Sequence, residues 1–153
     1  MALRHGLYVH PRLSRFGPVP PDDREVLRAF LDGDPFVESG PSHWNALGLG
    51  TTAIFAMPLI YNKKRTGIFE VGRRRFMLRR VDFPNKPTRE WYVIDLFENA
   101  DQAGASRDDL VASLARAIAR REFEPTRLQQ MSQRYGTKRT QSLVAKAIAS
   151  AVL

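Results

Sequence analysis

Hydrophobic positions along this chain change their spacing near its middle. Up to residue 83 they fall in short runs broken by Gly, Pro and charged residues, the mark of strands and turns. Beyond residue 105 they recur at helical spacing. Residues 6–10 (GLYVH) read as a short strand ending at Pro11, and the Gly-Pro and Pro-Pro pairs that follow predict an irregular loop over residues 12–21. Asp22 or Asp23 can cap a helix over residues 24–31, with an acidic first turn and Val26, Leu27, Phe30 and Leu31 on one face. Gly33 ends it. Residues 35–38 form a short extended piece, and Pro41 or Ser42 starts a second short helix, residues 43–47, closed by Gly48 and Gly50.

Residues 54–83 organise the rest. The apolar run 54–61 predicts a buried strand, with Pro58 arguing for an edge or a bulge. After a polar, basic loop over residues 62–66, two strands, 67–71 and 73–81, flank Gly72 as in a tight hairpin. In the second strand Arg74, Phe76, Leu78 and Arg80 share one face, and Arg73, Arg75, Met77, Arg79 and Val81 the other.

PNKPT (residues 84–88) is a break. Residues 89–100 fit a strand or a helix; their length and polar ending favour the helix. Ser106 and Asp109 form a capping-box-like start to a helix whose stripe is Leu110, Leu114, Ala117 and Ile118, with Arg116 and Arg120 facing water. Pro125 opens another helix, containing Leu128 and Met131 and stopping at Gly136. Residues 137–153 form the last, with Leu143, Val144, Ala147, Ile148, Ala151 and Val152 on its buried side. The expected fold class is therefore α+β: a small, mostly antiparallel sheet with a basic hairpin, followed by a C-terminal helical bundle. The 153 residues are read as one domain, with a soft division at residues 84–88.

Charge sharpens this picture. The chain carries a net charge of +8, and between Lys63 and Arg80 eight cations (Lys63, Lys64, Arg65, Arg73, Arg74, Arg75, Arg79, Arg80) face one acid, Glu70, a local charge of +7. Such a concentration attracts a polyanion, nucleic acid or an acidic protein surface alike. The absence of cysteine excludes disulfides and thiolate chemistry and fits a reducing compartment, with the cytoplasm the simplest expectation. No apolar run is long enough to cross a membrane.

Catalytic constellations are sparse. His5, His10 and His43 lack a second ligand at metal-site spacing, and no metal or cofactor is expected. Ser39 and Ser42 lie beside His43, but helix capping is their expected role. The glycines at 48 and 50 follow a helix rather than preceding one, the reverse of a phosphate loop. Glu70, Asp82 and Asp95 could assemble a metal-dependent nuclease site, although Val71 and Gly72 stand where a nuclease motif would continue. A two-stranded ribbon, by contrast, fits a major groove, and its arginines suit phosphates and guanine. The plainer alternative is that they solubilise a sheet edge.

The order of motifs adds a further expectation. GLYVHP, RFGPVPP, ESGPSHWNALGLGTT, the hairpin EVGRRRFMLRR and the Gln133-Arg-Tyr-Gly136 segment before a final helix resemble the AbiEi-like antitoxins of type IV toxin–antitoxin systems, from Gly6 onward. The resemblance implies a bacterial cytoplasmic regulator that represses its own operon and opposes a nucleotidyltransferase toxin. It also implies that residues 5–11 are the last strand of a winged module. The recognition helix expected before Gly6 is not among the 153 residues, so either the reading frame begins further upstream or the protein acts through its C-terminal domain alone. The expected function is a non-enzymatic antitoxin or transcriptional regulator, with Lys63–Arg65 and Arg73–Arg80 as the DNA surface and Arg134, Lys138 and Arg139 extending it. A protein-interaction module with an acidic partner is the alternative, and a small metal-dependent nuclease a lesser one.

Overall fold

The computed structural model describes residues 22–152 and, in the first 21, the backbone of four short strands only. These are β1 (Ala2–Arg4) paired antiparallel with β2 (Leu7–Tyr8), and β3 (Arg12–Ser14) paired antiparallel with β4 (Gly17–Val19). The β3–β4 pair lies where an irregular loop was expected. His5, Gly6, Val9, His10 and Pro11 lie outside the described residues, and with them most of the expected winged-module strand.

The chain forms two compact units: residues 1–38 with 57–85, and residues 39–56 with 86–153. One boundary falls inside the expected break at 84–88. The excursion 39–56, by contrast, belongs with the helical half.

In the first unit, α1 (Asp23–Phe30) begins at Asp22, whose side chain accepts from the Glu25 amide at 2.9 Å. It ends as the Gly33 amide, at φ +80°, donates back to the Arg28 carbonyl at 2.8 Å. Its apolar face meets a four-stranded sheet, ordered β5 (Phe36–Ser39), β6 (Leu59–Asn62), β8 (Arg74–Arg80), β7 (Gly67–Val71). Val26, Leu27, Phe30 and Leu31 pack there with Ile60, Val71, Phe76 and Leu78. The β7–β8 pair is an antiparallel hairpin with Val71 opposite Arg74, whereas β6 pairs parallel with β8, Leu59 opposite Met77. The first strand of the basic region is shorter than the apolar run suggested: pairing starts after Pro58, and Ile54 is 91% exposed.

In the second unit, α2 (Pro41–Asn45) starts at Gly40 without a side-chain cap, so neither Ser39 nor Ser42 has the capping role expected of it. Residues 89–98 resolve the ambiguity in favour of helix: α3 (Arg89–Glu98) is capped by Thr88 and buried on nearly every side, as the central helix of a bundle should be. The helices that follow are α4 (Arg107–Ala119), α5 (Pro125–Tyr135) and α6 (Lys138–Ala151), with α3 against α5 and α6, and α4 and α5 against α6. In α6 the buried positions are Thr140, Val144 and Ala147, while Val152, expected inside, is 81% exposed.

The α5–α6 turn explains Gly136. Its φ is negative, so the reason is space: a Cβ there would lie 2.8 Å from the Ser132 carbonyl oxygen and 3.4 Å from Ile94 Cγ2. The Ser132 oxygen is backbone and already accepts from the Gly136 amide at 2.9 Å, so it cannot yield cheaply. Gly136→Ala is expected to lower stability by about 1–3 kcal/mol, the range for overpacking a tight site. Urea unfolding measures it, and an unchanged midpoint would contradict the geometry.

Candidate nucleic-acid interface

Along β8 the alternation of side chains decides where the cations go. Phe76 and Leu78 turn to the α1 face, so Arg74 and Arg80 lie at the two ends of that face while Arg75, Met77 and Arg79 occupy the other. The hairpin turns at Gly72-Arg73, and Gly72 adopts φ +66°, which suits the glycine-first two-residue turn. The eight cations therefore do not form one surface. Arg73, Arg74 and Arg75 sit at the hairpin tip, while Lys63, Lys64, Arg65, Arg79 and Arg80 gather at the opposite end of the sheet, about 20 Å away at the usual rise of a strand.

Asn62 builds the far end. It is fully buried, and its Oδ1 accepts from the amides of Lys64 at 2.8 Å and Arg65 at 2.7 Å while its Nδ2 donates to the Arg65 carbonyl at 3.0 Å. This Asx-type turn fixes the loop bearing three of the cations. Thr66 Oγ1 accepts from the Arg80 amide at 2.9 Å and ties the loop to β8. Lys63 Nζ lies 2.8 Å from Asp82 and 4.5 Å from the centre of the Phe83 ring. Lys64 Nζ lies 3.2 Å from Asp32 and 3.6 Å from Asp34. The Arg65 guanidinium covers Phe30 at 4.6 Å, and that of Arg79 is 5.8 Å from the Tyr61 ring.

At the tip, Arg74 donates to Asp23 at 2.8 Å, in the first turn of α1. Arg75 stands directly across the hairpin from Glu70. Arg73, Arg75 and Arg80 are exposed, and none makes an ion pair among the described residues. Among the described residues Lys63, Lys64 and Arg74 thus hold internal counter-charges that the local sequence window concealed. These pairs are exposed, and exposed pairs contribute little, about 0–1 kcal/mol each, so a phosphate can replace the carboxylate.

Arg134, Lys138 and Arg139 belong to the second unit. All three are exposed, and the Arg134 guanidinium lies 4.9 Å over Tyr135. Residues 125–153 contain no Asp or Glu. The amino end of α6, where cations oppose the helix dipole, is served by Glu98: its carboxylate accepts from the Thr137 amide at 3.3 Å, the Thr137 hydroxyl at 3.0 Å and the Thr140 hydroxyl.

Two of the three carboxylates considered for nuclease chemistry, Asp95 and Asp82, have other partners. Asp95 is buried, and Oδ2 accepts from the Ser39 hydroxyl and from Trp44 Nε1 at 2.9 Å, while Oδ1 accepts from Asn99 Nδ2 at 3.2 Å. Asp82 pairs with Lys63, and among the described residues no group of three or more His, Asp or Glu is placed to hold a metal ion. His43 stacks on Tyr92 with ring centres 4.6 Å apart. No described helix is long and apolar enough to cross a membrane.

Two of the structural residues, Asn62 and Thr66, were missed from sequence, and Asp23, named there as a cap candidate, was not linked to Arg74. An Asn before a Lys-Lys-Arg run is itself a turn signal. Comparison of the chain with protein-family models, curated proteins and solved structures gives no match.

The two aspartates should separate cleanly on substitution. Asp95→Ala strands a buried hydroxyl and an indole N–H and is expected to cost about 3 kcal/mol or more, whereas Asp82→Ala should cost less than about 1 kcal/mol. Chemical unfolding of both variants is the check, and similar losses would refute the structural role given to Asp95.

Proposed function

We propose that this protein is a non-enzymatic, DNA-binding regulator of the AbiEi-like antitoxin type, located in the cytoplasm, acting on its own operon and opposing a nucleotidyltransferase toxin. The observation that carries the DNA reading is the pair of rigidly held basic ends on one small sheet. Asn62, Thr66 and the two-residue turn fix their backbones, and Arg73, Arg75 and Arg80 stand exposed with no acid bound to them among the described residues. Fixed cations of this kind gain affinity for phosphate without first paying for order. The family assignment rests on the sequence motifs, with the glycine of the Arg-Tyr-Gly turn sterically required.

A second reading, an interaction module for an acidic protein, is favoured by one specific feature: the acid-free α5–α6 segment with Arg134, Lys138 and Arg139 exposed. Copurification with the neighbouring gene product, lost on neutralising those three, would support it.

The DNA reading is tested by titrating the protein against its own promoter fragment and an unrelated duplex over a range of salt. Replacing Arg73, Arg74 and Arg75 together by Ala should weaken binding to both and reduce the salt slope by about 2–3, roughly one per lost phosphate contact. An unchanged slope in a variant with the wild-type circular dichroism spectrum would remove the hairpin from the interface.

A further inference from the structure

A two-stranded ribbon reads a major groove through the side chains of one face, and the face this hairpin turns away from α1 sets Glu70 opposite Arg75 and apolar Ile68 opposite Met77, an acid and an apolar middle ill suited to phosphates and base edges. The other face is covered. Val71 and Phe76, at its outer end, are buried in the core that α1 shares with the sheet, and Arg74 is tied to Asp23 on the same side. The pairing of β8 with β6 begins only at Met77, so beyond it the hairpin continues as two strands toward Gly72-Arg73. What remains to enter a groove is the turn itself, and its leading side chain is Arg73.

Arg73 has the properties that a narrow minor groove selects. It is exposed and makes no ion pair among the described residues, so no internal partner must be given up. Its guanidinium is planar and more weakly hydrated than an ammonium, hence cheaper to strip of water in a confined groove. The turn is as short as a hairpin allows, and the Arg74–Asp23 pair steadies one side of its base. A·T-rich tracts narrow the minor groove and deepen its negative potential, which draws in such an arginine.

Resting on the DNA reading above, we infer that the Gly72-Arg73 turn is a specificity element: Arg73 enters the minor groove of A·T-rich duplex DNA while Arg75 contacts a flanking phosphate. The protein then prefers sites by groove width rather than by base-edge contacts in the major groove.

The test uses the full chain and two fluorescent duplexes of equal length, one centred on an A-tract and one on alternating G·C, with binding followed by anisotropy at fixed salt. A preference of about tenfold for the A-tract is expected, in the range of a single lost base-pair contact, together with displacement by netropsin, which occupies A·T minor grooves. Arg73→Ala and the gentler Arg73→Lys should both erase most of the preference while changing the G·C affinity less than about threefold, the effect of one phosphate-range charge. Equal binding of both duplexes by the wild type, or a preference that survives Arg73→Ala, would overturn the inference and leave the basic sheet as a non-specific clamp. Absence of binding to either duplex would instead remove the DNA reading, and this inference with it.

Discussion

Burial of one face of β8 under α1 sets the position of nearly everything else in the first unit. Phe76 and Leu78 cannot leave the core formed with Val26, Leu27, Phe30 and Leu31, and a shift of register by one residue would exchange them for Arg75, Met77 and Arg79. That penalty holds the register, and the register in turn places every arginine of the strand. The same helix supplies most of the internal counter-charge: Asp23 from its first turn meets Arg74 at one end of the sheet, and Asp32 and Asp34, just past its last turn, meet Lys64 at the other. One packing contact thus brings core, basic ends and neutralising acids into place together.

The acids at α1's ends also alter what the basic charge means. A local count of +7 suggests strong self-repulsion, yet the folded arrangement interleaves cations with carboxylates and aromatic faces, which relieves it. Because the ion pairs are solvent-exposed, each is weak and easily exchanged. The surface is therefore stable without a ligand and still available to one. In the second unit the polar interior works differently. Asp95 and Glu98 of α3 have fixed hydroxyl, indole and amide partners, and they join α2 and the α5–α6 turn to the central helix.

Much of this was legible in the residues because local chemistry and global fold agree. A cap at Asp22 or Asp23, the Val26–Leu31 face, the Gly72 hairpin and the Ser106 cap all follow from short-range rules that tertiary packing did not override. Where the reading failed, long-range placement decided. Ser39 has the sequence context of a cap but meets Asp95, 56 residues away. Residues 54–58 are apolar enough for a strand, yet pairing waits until Pro58 has passed. Asp95, one of three carboxylates that could assemble a nuclease site, instead accepts from Trp44 and Asn99, which lie 51 and 4 residues away. Likewise, Asp23, Asp32 and Asp34 lie outside the window in which the charge was counted, and sequence distance hid their proximity to Arg74 and Lys64.

The separation of the two basic ends has a consequence for the form of a polyanion that can use both. They stand about 20 Å apart along the strands, roughly six base-pair steps of duplex at 3.4 Å each. On the hairpin face turned away from α1, Ile68, 53% exposed, is paired with half-buried Met77, so the middle of that face offers apolar surface rather than charge. A compact anion would engage one end and gain the exchange of one or two weak ion pairs. A stiff polyanion with regularly spaced charge can bridge the apolar middle and engage both ends at once, with the second contact made at high effective concentration. By this reasoning the fold favours a rod over a point charge, and the order imposed by Asn62 and Gly72 on the two ends is what keeps their spacing constant enough to matter.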